Sequence, residues 1–227
     1  MSARINLLDN VGFVELMDSF GDDLTVVNAA RVSFAKESTA LEVRDEKLIK
    51  YLADHEHITP FFHPQLRFRL KMPIYVAREW FRHTIGFARN EVSRRYVDDK
   101  AECYLPPPES LRERDTNKKQ GSKTTPISFA DEVHEKIKEF QGQAVGFYET
   151  LLELNVAPEV ARGVLPQSMY TEFIETGSLA AYARLCALRL NPQAQAEIQA
   201  YAAAISRIIE TRFPVSWAAL NKNKPPI

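Results

Sequence analysis

Hydrophobic and polar positions along the chain follow two rhythms. Between residues 65 and 72, Leu66, Phe68, Leu70 and Met72 alternate with Gln65, Arg67, Arg69 and Lys71. A strict period of two predicts a half-buried strand with antiparallel neighbours. GFVELMDSFGDD (12–23) reads as a strand then a turn, and QSMYTEFIET, beginning at Gln167, is strand-like. Elsewhere the period is helical. Leu41, Leu48, Ile49 and Leu52 share a face of a helix over 41–55, and a long helix is expected over roughly 129–154. SLAAYARLCALRL forms a helix with Ser178 as N-cap after Gly177, and PQAQAEIQAYAAAISRIIETRF another that starts at its proline. Shorter helices are expected in DLTVVNAARVSF, capped by Asp23, and in APEVARGVLP, closed by Pro166. A further helix opens at Pro73 and fails around Gly86, with loop or strand from Asn90 to Tyr96. Residues 106–127, Pro-rich and then polar, read as a mobile surface loop. The sum is an α+β chain, helix-rich around a small, mainly antiparallel sheet, forming a single domain over 1–227 without internal repeats.

Composition narrows the classes. Of 227 residues, 45% are hydrophobic and 26% charged, so a core can form. A net charge of -1 argues against a general nucleic-acid binder, and no nucleic-acid partner is expected. Cys103 and Cys186 lie in no CxxC pair and no zinc-spaced cluster. The N-terminal residues show no apolar signal region, and no apolar run reaches membrane-spanning length. A soluble, cytoplasmic protein without a membrane partner is expected, in a host's cytoplasm if the source is viral.

Against that balanced total, residues 78–95 concentrate charge. Arg78, Arg82, Arg89, Arg94 and Arg95 interleave with Trp80, Phe81 and Phe87. Guanidinium groups placed among aromatic rings need a carboxylate or phosphate partner. An anionic ligand is one explanation; surface pairing with Glu79, Glu91 and Glu159 is the other. His55 and His57 are two apart, not the four that a helical metal motif needs, and no metal site is expected. GxSxG, GxGxxG and GxxxxGK[ST] are absent. With eight glycines in the chain, any phosphate must be held by arginines and helix N-termini. Cys186, between Leu185 and Leu188 on an apolar face, reads as a core thiol.

The segment Arg82-His83-Thr84, eight residues, then Ser93, within Asn90-Glu91-Val92-Ser93-Arg94-Arg95-Tyr96, resembles the signature of the flavin-dependent thymidylate synthases. That signature is Arg-His-Arg, seven residues, Ser. TPFFH, PIYVAREWFRH, PEVARGVLP, YTEF and AQAEIQAYAAAISRI are similar to family segments in family order, from about residue 5 to 220. The resemblance implies an α/β homotetramer with sites between subunits, FAD as cofactor, NADPH and 5,10-methylenetetrahydrofolate as co-substrates, and dUMP as substrate. It implies Glu79, Arg82, Glu91, Ser93, Arg94, Arg95, Arg162 and Arg189 at the nucleotide, with Arg162 from another subunit. Arg189 and Ser93 are implied to be catalytic, Arg189 favouring the ionised pyrimidine N3. His57, Thr59, Arg82, His83, Thr84, Glu91, Ser178 and Arg184 are implied at flavin or folate. Thr84, Glu79 and Arg184 stand where the family usually has arginine, glutamine and asparagine. From these departures come three expectations: that Arg89 swings in for the lost arginine, that Arg82 or Arg78 neutralises Glu79, and that the chemistry could differ. The alternatives are a flavin-dependent hydroxymethylase acting on dUMP or dCMP, and an inactive nucleotide-binding homologue.

Overall fold

A computed structural model describes residues 4–96, 100–116 and 121–222. Its strands are β1 (Arg4–Leu7), β2 (Gly12–Phe20), β3 (Gln65–Pro73), β4 (Phe87–Glu91), β5 (Arg112–Arg114), β6 (Ser122–Pro126) and β7 (Tyr170–Ser178). Its helices are α1 (Asp23–Arg31), α2 (Val43–Asp54), α3 (Ile74–Trp80), α4 (Ala130–Glu153), α5 (Pro158–Ala161), α6 (Leu179–Arg189), α7 (Ala196–Arg212) and α8 (Pro214–Leu220). Five strands form one antiparallel sheet in the order β1-β2-β3-β7-β4; β5 and β6 pair separately.

The alternation in β3 decides which face of the sheet is dry. Leu66, Phe68, Leu70 and Met72 are fully buried. At roughly 1.5–3 kcal/mol for each large apolar side chain removed from water, this one face accounts for much of the sheet's stability. Slipping the register by one residue would drive Arg67, Arg69 and Lys71 into the core. The nine-residue pairing with β7, from Gln65 opposite Ser178 to Pro73 opposite Tyr170, holds the register. Tyr182, Leu185 and Cys186 of α6, and Ile198, Tyr201, Ile205 and Ile209 of α7, join the same core cluster. Cys186 is fully buried there, its Sγ 3.7 Å from the Ala202 carbonyl, in keeping with the core-thiol reading.

Several boundaries differ from those read in the sequence. Asp22, not Asp23, caps α1, accepting from the Thr25 N–H at 3.0 Å. The buried Asp23 turns instead to the first turn of α8, accepting from Val215 N at 2.9 Å and Ser216 N at 2.8 Å. β1 and α8 were not recognised: four residues and seven are too short for a clear period. α7 begins at Ala196, after Pro192 and its turn. α3 ends at Trp80, well before Gly86, because Arg82 N and His83 N bond back three residues, to the carbonyls of Glu79 and Trp80. Within 106–127, read as a mobile loop, the described residues form a short 3-10 helix at Pro108–Ser110 and then the β5–β6 hairpin; residues 117–120 lie outside them. Among the described residues no helix is long and apolar enough to cross a membrane.

Candidate functional site

Two clefts gather most of the residues implied at the nucleotide, the first beside β4 and β7 and the second between the ends of α3 and α6 and the start of α7. The first, about 1160 Å³, lies on the polar face of the sheet and is lined by Glu91, Ser93, Arg94, Arg162, Arg78, Arg69 and Lys71 among others. β3 supplies Arg69 and Lys71 as its outward residues, and α3 supplies Arg78. The turn after α5 supplies Arg162. A bulge in β2 between Leu16 and Asp18 turns Met17 into the same wall. Arg69 pairs with Glu172 and Lys71 with Glu102. Among the described residues Arg78 and Arg162 have no carboxylate partner. The Thr171 hydroxyl donates to Glu91 at 2.5 Å, orienting that carboxylate. Arg95 is turned to Glu159 at 3.2 Å, and its N–H donates to Ser93 Oγ at 3.3 Å.

The second cleft, about 790 Å³, is lined by Glu79, Arg82, Arg189, Asn191 and Gln199, with Arg112 and Ser122 of the hairpin. Here the C-terminus of α6 meets the end of α3. Arg189 donates through Nη1 to Glu79 and through Nε to His83 Nε2, the latter at 2.9 Å. The accepting His83 nitrogen must be unprotonated, so its proton sits on Nδ1. Burial and the surrounding Arg189, Arg89, Arg184 and Arg82 push His83 from an ordinary 6.5 down to about 4. It is therefore neutral at physiological pH. The neutraliser of Glu79 is thus Arg189, not Arg82 or Arg78; Arg78 faces the first cleft.

Arg89 does not take the place of the missing signature arginine. Its Nε donates to Glu175, which is 0% exposed and also accepts from Trp80 Nε1 at 3.1 Å. The guanidinium carbon lies 5.3 Å from the Phe81 ring centre and 4.8 Å from that of Phe87. Burial raises the Glu175 pKa and the Arg89 charge opposes the rise. This pair ties β4 to β7. Two glycines let the strands close there. Gly86 sits at φ 82°, where a Cβ would stand 3.0 Å from Ala181 Cβ; at Gly177 a Cβ would meet the Phe87 ring at 2.5 Å.

Of the remaining residues singled out in the sequence, Arg184 donates to the Ile85 carbonyl at 2.6 Å, next to His83. Thr84 lies exposed in the turn before β4. Ser178 is buried and committed to capping α6, accepting from Ala181 N at 3.1 Å. His57 follows the turn after α2, Thr59 opens the short 3-10 helix Thr59–Phe62, and neither lines either cleft. The sequence reading missed Arg69, Lys71, Arg112, Asn191 and Gln199. A signal for the first two was present: cations at every second position of a strand share one face.

Comparison with known proteins decides the family. Residues 15–215 match the family described as "Thymidylate synthase complementing protein". The flavin-dependent thymidylate synthase of Thermus thermophilus is 42% identical over 219 residues, 96% of this chain and 78% of that one. The chain belongs to the flavin-dependent thymidylate synthases. The enzyme of that name from Thermosipho melanesiensis is 40% identical over 212 residues, 93% of this chain and 91% of its own. Among solved structures, the UMP/dUMP methylase PolB from Streptomyces cacaoi, bound with 5-Br dUMP, superposes with a TM-score of 0.83. It is 30% identical, covering 92% of this chain and 94% of that one. Its complex with 5-Br UMP gives 0.81 at 29% identity. Cys186, sealed in the core, lines neither cleft.

Proposed function

We propose that this chain methylates dUMP reductively to dTMP, as a homotetramer using FAD, 5,10-methylenetetrahydrofolate and NADPH. The observation that carries the reading is the pair Arg78 and Arg162. Both face the first cleft, without a carboxylate partner among the described residues, beside Glu91 and Ser93. Guanidinium groups in that state are suited to a phosphate monoester, which they bind through short, charge-assisted hydrogen bonds. Ser93 adds a hydroxyl donor.

Arg189 does different work. Its Nε and Nη1 are held by His83 and Glu79, and among the described residues neither contact uses Nη2. A fixed cation of this kind beside a pyrimidine imide stabilises the N3 anion and raises electron density at C5, the carbon that must attack. Neutral His83 keeps the guanidinium in place without adding a competing charge. The donor set also fits a flavin dinucleotide. Arg82, with no carboxylate partner among the described residues, stands with Arg112 as cations for a pyrophosphate, and Arg184 lies beside neutral His83. Bound there, a reduced flavin would supply a hydride.

Two measurements test the reading. Protein purified without added cofactor should be yellow, with a flavin band near about 450 nm; a colourless protein that takes up no FAD sinks it. Incubation with labelled methylenetetrahydrofolate and dUMP should give dTMP and consume NADPH. A hydroxymethyl nucleotide formed without NADPH consumption, from dUMP or dCMP, would replace the reductive step with simple one-carbon transfer.

A further inference from the structure

Three arginines and one acid line the second cleft. The cations are Arg82, Arg112 and Arg189, and among the described residues Glu79 is the single carboxylate on its wall. The other polar groups there, Asn191, Gln193, Gln195, Gln199 and Ser122, are amides and a hydroxyl, which take up no proton near neutrality. His83 stands behind Arg189 with its proton on Nδ1 and its Nε2 filled by the Arg189 N–H at 2.9 Å, so it offers no free site to a proton from the cleft. Glu79 does. Its Oε1 accepts from Arg189 Nη1, its side chain keeps 25% of its surface open, and among the described residues no hydrogen bond reaches Oε2. Neighbouring charges are otherwise engaged. Glu197, at the start of α7, accepts from the Tyr75 hydroxyl at 3.2 Å and does not line the cleft. Arg184 is turned to the Ile85 carbonyl, and Arg78, on the same helix as Glu79, faces the first cleft.

We propose that Glu79 is the base that takes the N3 proton of the pyrimidine, a catalytic role that rests on the function proposed above. Glu79 and Arg189 set an acceptor beside a donor. The imide edge of uracil is a donor beside an acceptor: N3–H reaches Glu79 Oε2, and a ring carbonyl oxygen accepts from Arg189 Nη2. Charge balance points the same way. Glu79 offsets the Arg189 cation, so a uracil anion entering the cleft would meet a carboxylate as well as a guanidinium. The imide therefore enters neutral and loses its proton only as the reaction demands it. C5 attacks the one-carbon unit with the electron pair of the C5–C6 double bond. The unit's bond to its carrier nitrogen breaks, and that pair stays on nitrogen. Unassisted, this would leave the ring a cation, with the charge shared by C6 and N1. Passing the N3 proton to Oε2 leaves the ring neutral instead. N3–H becomes more acidic as the ring gives up electrons, which is when a positioned carboxylate can take its proton. When C5 later gives its own proton to water and the double bond returns, the ring is an anion and recovers the N3 proton from Glu79.

Glu79→Gln tests it, keeping the shape and removing the base, with far-UV circular dichroism to confirm the fold. Between about pH 7 and 9 the unaltered enzyme should form dTMP with a level kcat/KM for dUMP. The variant must draw an already ionised nucleotide from solution. Its kcat/KM should fall on the order of a hundredfold at the low end and recover about tenfold per pH unit. Glu79→Asp should keep the level profile at a lower rate. A second measurement needs no turnover. Calorimetric titration with dUMP at about pH 8, in two buffers of different ionisation heat, should give one binding enthalpy for the unaltered protein. It should give two for Glu79→Gln, which binds the anion and sheds a proton to the buffer. Parallel pH profiles for the unaltered enzyme and Glu79→Gln, or variant heats that agree between buffers, overturn the assignment and leave Glu79 as a holder of Arg189. In that event dTMP formation by the unaltered enzyme keeps the wider function standing. An unaltered enzyme that makes no dTMP overturns both.

Discussion

The two clefts solve opposite problems with the same residue type. In the first, cations stand on the outward face of β3, on α3 and on the turn after α5. Some are matched by half-exposed glutamates, while Arg78 and Arg162 are left without an acid among the described residues. In the second, Arg189 is gripped from two sides by Glu79 and His83. Exposed, loosely matched charge can regroup around an incoming phosphate and is screened by salt. Charge fixed in advance needs no reorganisation when the reaction develops its own. Arginine count therefore says little here: on the function proposed above, the carboxylates that hold each arginine would leave the gripping to one cleft and the chemistry to the other.

The most damaging change should be Glu175→Ala. It strands the mostly buried Arg89 guanidinium between β4 and β7, and thermal or urea unfolding should show a loss of about 3 kcal/mol. Arg189→Ala should leave the fold intact and lower kcat on the order of a hundredfold, with a smaller change in KM. Arg162→Ala should do the reverse, raising KM for dUMP roughly tenfold or more through loss of a charge-assisted hydrogen bond while kcat changes less. Equal effects on both constants from both arginines would erase the division between the clefts. A subtler test uses pH. His83 is depressed to about 4 when folded and is ordinary, near 6.5, when unfolded, so the unfolded chain binds the extra proton between those values. Its contribution to stability is complete above the ordinary value and is lost as pH falls towards about 4. His83→Gln should flatten that part of the stability profile and add no break near neutrality. Smallest of all, Cys186→Ala should cost some stability by leaving a small cavity but leave turnover intact.

How much of this could be read in the chain beforehand depended on range. β3 and the α2, α4 and α6 helices announced themselves because their periods are local: one residue in two, or one in three and four. So did the Ser178 cap, which needs only the next three residues. Asp23 misled because capping chemistry is local in appearance, while its partners lie in α8. Arg89 misled for a similar reason. Beside a depleted signature it reads as a spare cation, and only the pairing of β4 with β7 places Glu175 against it. The family resemblance named Glu79, His83 and Arg189 as neighbours of a ligand. That they are first of all neighbours of one another is a fact about the fold of α3 against α6, to which no spacing in the sequence corresponds.

The bond between Asp23 and the amides of Val215 and Ser216 has a consequence for how the protein is made. A nascent chain still on the ribosome, with residues 213–220 unsynthesised or in the exit tunnel, holds its aspartate with nothing to accept from. Closing the core around it at that point would strand a charge away from water, at a cost of several kcal/mol. Final consolidation should therefore wait for α8 to emerge, so that the order of synthesis sets the order in which Asp23 and its partners close.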